Sequence, residues 1–133
     1  MIVVDASVVA NVVGDDTHDG QAARARLAQE SDLAAPDLVD VETLAVLRRR
    51  WLAGGLATDR FIDGVALLVA LPLERHAALR LIPRAAALRS NVTAYDAMYV
   101  ALAEQLGCTL LTGETRLAAA AGVRCPVEVL RAV

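Results

Sequence analysis

The stretch Ile2-Val3-Val4-Asp5-Ala6-Ser7-Val8-Val9-Ala10-Asn11-Val12-Val13 decides the fold class. Three β-branched residues in a row read as a short buried strand, an acid ends it, and Ala6 to Val13 then reads as a helix of two turns. Strand followed at once by helix is the opening of an α/β unit. Asp5 stands at the carboxyl end of that strand, the edge where open α/β sheets bind ligands, although an acid there also suits the N-cap of the next helix.

The pattern continues outward from this start. Gly14-Asp15-Asp16 breaks the first helix, Gln21 to Glu30 carries helix formers, and Leu33-Ala34-Ala35 is a brief apolar run. A helix is expected to open at Pro36-Asp37, to run to about Leu52 and to stop at Gly54-Gly55, with another beginning at Thr58. Leu71-Pro72-Leu73 reads as a short strand, Ala77 to Arg89 and Ala94 to Leu106 as helices, Thr109 to Thr112 as a strand, Glu114 to Ala121 as a helix and Val127 to Leu130 as a last strand. Short strands alternating with helices imply an α/β sandwich with a mainly parallel sheet flanked by helices.

Composition bounds the function. The chain has 133 residues, 56% hydrophobic but only 3% aromatic, and a mean hydropathy of +0.47, which suits one globular domain spanning residues 1–133. The longest apolar run, Val65 to Leu73, is about half of the roughly 18 residues a membrane span needs. Met1-Ile2-Val3-Val4-Asp5 has no positive stretch of the kind that opens a secretion signal, so the expected location is the cytoplasm. Cys108 and Cys125 are neither spaced as a metal knuckle nor numerous enough for a disulfide framework, and read as buried thiols. The net charge of −3 lacks a basic footprint, so a polyanionic substrate must be held locally. All 13 basic residues are Arg. Of these, Arg48-Arg49-Arg50 is either a solvated charge run or a contact for phosphate or a protein partner.

Four acids stand out. Beside Asp5, Glu42 lies within a helix whose neighbours one turn away are Leu38, Ala45 and Val46, an apolar setting in which a charge needs a partner. Asp96 is the only charged residue between Arg89 and Glu104, on a helix that is apolar nearly all round; Thr93 to Asp96 also has capping-box spacing. Glu114 follows the strand Thr109 to Thr112 by two residues, where the dipole of the next helix would also favour it. Ser7 and Thr112, beside these acids, suit either helix capping or holding a metal-bound water. Taken together, two acids at strand carboxyl ends and two on flanking helices are placed where this topology could bring them alongside in one crevice, and there a cation must neutralise them or some must protonate. Oxygen-only ligands select Mg²⁺ or Mn²⁺, and such a site suits phosphodiester hydrolysis without a catalytic His. His18 and His76 fall in polar segments and read as surface residues.

These residues resemble the PIN-domain family and, within it, the VapC-type ribonuclease toxins of bacterial toxin–antitoxin systems. Ile2-Val3-Val4-Asp5-Ala6-Ser7 is similar to the family's first motif and Pro36 to Leu47, with Glu42, to its second. Asn91 to Gly107, with Tyr95-Asp96-Ala97, is similar to the third, and Leu110-Leu111-Thr112-Gly113-Glu114 to the fourth. The resemblance covers essentially the whole chain. It implies a PIN-like three-layer sandwich, a Mg²⁺ or Mn²⁺ cofactor, RNA as substrate, a homodimer, and a small VapB-type antitoxin as partner. Asp5, Glu42 and Asp96 carry over as site acids, with Asp5 and Asp96 as direct metal ligands. Glu114 stands where the family usually has Asp, one methylene longer, which leaves room for a second expectation: a PIN-like binding or assembly module with little or no turnover. A haloacid-dehalogenase-type phosphatase is disfavoured because Asp5-Ala6-Ser7 lacks a second Asp two residues on, and a phospho-receiver because the chain has no Lys.

Overall fold

In a computed structural model of the chain, residues 1–131 are described; the last two residues of the expected domain lie outside this range. Five strands, β1 (Ile2–Val4), β2 (Leu33–Pro36), β3 (Glu74–His76), β4 (Thr109–Thr112) and β5 (Val127–Val129), form one sheet in the order β3-β2-β1-β4-β5. Every adjacent pair is parallel, with Val3 beside Ala34 on one side and Leu110 on the other. A parallel sheet is covered on both faces, which is why its central strands are uniformly apolar: Ile2, Val3, Val4, Leu110 and Leu111 are all buried.

The helices are α1 (Ala6–Gly14), α2 (His18–Leu27), α3 (Val39–Leu52), α4 (Thr58–Ala70), α5 (Ile82–Ala87), α6 (Ala94–Leu106) and α7 (Thr115–Ala118). Right-handed crossovers dictate where they go. The chain moves from β1 through β2 to β3 in one direction and from β3 back past β1 to β4 and β5 in the other, so the connecting helices fall on opposite faces. Contacts agree: α1 packs on α2, α3 and α4, whereas α5 packs on α6, which lies against β1, β2 and β4. The strand order therefore reverses between β1 and β4. A crevice opens at the carboxyl ends of strands flanking such a reversal, because the chains leaving them diverge to opposite faces.

Several boundaries differ from the sequence reading. Pro36 closes β2 instead of opening a helix; α3 begins at Val39. The third strand is Glu74–His76, not Leu71 to Leu73: Leu71 and Leu73 form a tight turn joined by a 2.8 Å backbone bond, and the Arg75 guanidinium donates to the carbonyls of Leu68, Leu71 and Leu73 while gripping Asp40. As an edge strand, β3 is polar. Ala77 to Arg89 is not one helix: a 3₁₀ turn at Ala78–Leu81 hands over to α5 with Pro83 in its first turn. Helix α2 starts three residues before Gln21 and ends at Leu27, and α7 is a single turn.

Candidate active site at the carboxyl edge of the sheet

Asp5 leaves β1 at the reversal point and takes the N-cap position of α1, yet its side chain makes no capping bond. Instead one carboxylate oxygen, Oδ2, accepts from the Thr112 hydroxyl at 2.7 Å and from the Ser7 hydroxyl at 3.0 Å. Thr112 is the last residue of β4, the strand beside β1, and is itself fully buried. Ser7 and Thr112 also accept the backbone N–H groups of Gly113 and Glu114, so the loop leaving β4 is tied to the head of α1. The two hydroxyls thus orient Asp5 instead of capping a helix.

Glu42, in the first turns of α3, accepts a 2.8 Å hydrogen bond from the Tyr99 hydroxyl of α6. The Tyr99 ring is fully buried, and a buried phenol takes a partner for its hydroxyl. This bond joins the two helical layers across the top of the sheet. Tyr99 is the site residue that the sequence reading passed over, its ring hidden in an apolar run. Asp96 lies in the first turn of α6, whose N-cap Thr93 accepts from the Asp96 backbone N–H at 3.3 Å. The reciprocal capping-box bond is not made: the Asp96 carboxylate is 3.5 Å from the Arg116 guanidinium of α7. Glu114 takes the N-cap position of α7 without a capping bond, half exposed, and lies 3.8 Å from the same Arg116.

All four acids line one open cleft of about 470 Å³, together with Ser7, the small apolar residues of α3, Arg49 and Tyr95. They do not form a closed knot: among the described residues no three acidic, His or Cys side chains converge tightly enough to hold an ion as they stand. Burial pushes the Asp5 carboxyl above the ordinary carboxylate range, with Asp96 adding to the rise and the Thr112 and Ser7 hydroxyls opposing it. Burial does the same to Glu42, reinforced by Asp5 and Asp96 and opposed by Tyr99. Each of these acids thus disfavours the ionisation of the others, a cost that a bound cation or a proton would relieve.

The remaining candidates resolve differently. Arg50 donates to Asn11 at 2.8 Å and does not line the cleft, and His76, partly buried at the end of β3 and not a free surface residue, lies 3.0 Å from Glu74 and outside the lining of the acid cleft. Cys108 and Cys125 are free thiols, half-buried, and burial pushes the Cys125 thiol up to about 11. No helix among the described residues is long and apolar enough to cross a membrane.

Comparison with known proteins bears on this geometry. The PIN domain family matches residues 2–123. Ribonuclease VapC1 of Mycobacterium tuberculosis is 38% identical over 130 residues, covering 97% of each chain. Two solved structures share the fold: VapBC2 of Rickettsia felis, bound to a promoter DNA fragment, with a TM-score of 0.68 at 13% identity over 98% of this chain and 100% of that one, and VapC20 of M. tuberculosis, described as a sarcin-ricin loop cleaving toxin, with a TM-score of 0.66 at 17% identity over 83% and 87%. An acid-lined cleft at the strand reversal, in a chain similar over almost its full length to such a relative, places it: the chain belongs to the PIN-domain family and, within it, is of the VapC type.

Proposed function

We propose that the chain is a metal-dependent endoribonuclease toxin that hydrolyses RNA phosphodiester bonds and is neutralised by a cognate VapB-type antitoxin. The observation that carries the reading is the cleft itself: Asp5, Glu42, Asp96 and Glu114 face one opening, and the first two are held above their ordinary range by burial and by neighbouring acids. The relative VapC1 is named a ribonuclease, and it aligns along nearly the whole chain.

Oxygen donors alone suit Mg²⁺ or Mn²⁺ in preference to softer ions, and a cation would offset the charge of the four carboxylates that line the cleft. Asp5, Asp96 and Glu42 are the residues that would hold it, with Glu114 contributing directly or through water. When bound, such an ion supplies Lewis-acid chemistry, making water a better nucleophile and offsetting charge on the phosphate. The protein's own part is orientation. Thr112 and Ser7 hold Asp5, Tyr99 holds Glu42, and the Thr93 cap holds the first turn of α6 on which Asp96 rides. Water attacks phosphorus, one P–O ester bond breaks, and the leaving oxygen takes a proton.

Partner surfaces fit the same reading. Val41, Leu52, Ile62 and Val69 on α3 and α4 are large apolar residues that are each more than half exposed. We assign this surface to a homodimer contact and an antitoxin groove in a cytoplasmic protein; a clean monomer by light scattering at micromolar concentration counts against the homodimer.

The open arrangement of the acids and the exposed Glu114 favour a second reading, an assembly module without turnover. Calorimetric titration with Mn²⁺ separates the two. The nuclease requires binding that weakens in Asp5→Asn, whereas a scaffold gives no heat of binding.

A further inference from the structure

Two residues of the cleft have no role in holding a cation. Tyr95 is 65% exposed although it lies one helical turn from the wholly buried Tyr99 on the same helix. At i and i+4 the two rings share a face of α6: Tyr99 reaches inward to Glu42, and Tyr95 lies at the mouth of the cleft. Arg49 stands on α3 seven residues beyond Glu42, which is two turns along the same face and roughly 10 Å of helix rise. Of the triplet Arg48-Arg49-Arg50, Arg49 alone lines the cleft. Among the described residues it makes no ion pair, unlike Arg116, which is turned to Asp96 and Glu114.

A polyanion entering a site of four carboxylates on a chain of net charge −3 meets repulsion from the acids, which a cation free of any ion pair in the cleft offsets. A flat, uncovered aromatic beside the acids offers what a base can use, a π-face for stacking, and only an unpaired base can use it, since paired bases already stack on one another. Resting on the ribonuclease reading, we propose that Tyr95 and Arg49 form a nucleotide subsite that selects unpaired RNA: the Tyr95 ring stacks one base beside the scissile bond, and the Arg49 guanidinium takes a neighbouring phosphate. The subsite acts on binding and sets which RNA conformations reach the acids.

The test is fluorescence anisotropy of a short labelled single-stranded RNA with the whole chain, with Ca²⁺ replacing Mg²⁺ and the RNA checked for integrity by gel. Tyr95→Leu keeps an apolar side chain but loses the ring, and weakens binding by about 5- to 150-fold, the range for loss of one stacked base. Tyr95→Phe keeps the ring and binds within twofold of wild type. Arg49→Gln flattens the log–log salt dependence by about 0.7, the value for one phosphate contact on a single strand, whereas Tyr95→Leu leaves that slope unchanged. A blunt RNA duplex binds more weakly than the single strand. The subsite is overturned if Tyr95→Leu binds like wild type, if Phe is as poor as Leu, if Arg49→Gln leaves the slope intact, or if the duplex binds equally well. A wild-type chain that neither binds nor cleaves RNA overturns the ribonuclease reading as well, and is thereby distinct from these failures.

Discussion

Replacing Thr112 by Val probes the heart of the site with a change of one group. Thr112 is fully buried, and its hydroxyl donates to Asp5 at 2.7 Å and accepts the Glu114 N–H at 3.0 Å. Valine matches its shape, so packing is kept and the hydroxyl alone is lost. A hydrogen bond to a charged carboxylate is worth about 1.5–3 kcal/mol; the Glu114 N–H, on a part-exposed turn, regains water and adds little. The expected loss is therefore about 2 kcal/mol where Asp5 is ionised, or roughly 6–10 °C in Tm for a domain of this size. The sign with pH follows from the charge. The Thr112 hydroxyl favours ionised Asp5, so its removal pushes the carboxyl up further, and the penalty is full where Asp5 is charged. Where Asp5 is protonated the bond is to a neutral acid, worth about 0.5–1.5 kcal/mol, so the penalty shrinks by about 1 kcal/mol as pH falls through the raised Asp5 range. Urea unfolding of metal-free wild type, Thr112→Val and Thr112→Ser over a series of pH values from acid to alkaline checks this, the Ser variant restoring the pH dependence. A penalty that does not grow with pH anywhere in the series, or none at its alkaline end, refutes the reasoning.

Other expectations follow from the same contacts. Because burial raises the Asp5 carboxyl in the fold, its contribution to stability is present below the unfolded value of about 3.9 and is lost as pH rises through the raised one; metal-free Asp5→Asn should therefore gain on wild type between pH 4 and pH 8 by thermal denaturation, and a gap that moves the other way contradicts the assignment. Tyr99→Phe, which keeps the buried ring and removes the bond to Glu42, should push the Glu42 carboxyl further up and weaken Mn²⁺ binding measured by calorimetry, with little change in circular dichroism. Gly20→Ala should destabilise by about 3 kcal/mol or more, because its Cβ would overlap the Asp15 carbonyl oxygen, part of the backbone, whereas Gly14→Ala meets the movable end of Leu47 and should cost less in the same denaturant titration.

What could be read from the sequence, and what could not, divides along physical lines. Strands β1 and β4 are buried and helix α6 is buried over Tyr99 to Ala103, so their apolar runs are nearly unmixed and their ends are marked by Asp5, Thr112 and Gly107, the last at φ 65° closing α6. The polar edge strand Glu74–His76 carries no such pattern, and its place is set by pairing with β2 and by Arg75, which are tertiary facts. The four acids were legible because charge is conspicuous in apolar surroundings. Their supports were less so. Ser7 and Thr112 had two open readings until their hydroxyls were found on one oxygen of Asp5, and Tyr99 looked like core because its ring is core. A signal was present: two tyrosines four apart on an otherwise aliphatic helix, one of which had to find a partner for a buried hydroxyl.

The central claim is that the acid cleft cuts RNA with a divalent ion. The direct measurement is cleavage of single-stranded RNA by the purified chain with Mg²⁺ or Mn²⁺, with EDTA, and with Asp96→Asn shown to be folded. The account predicts cleavage that requires the ion and disappears in Asp96→Asn. Full cleavage by Asp96→Asn, or none by wild type with either ion, would contradict it.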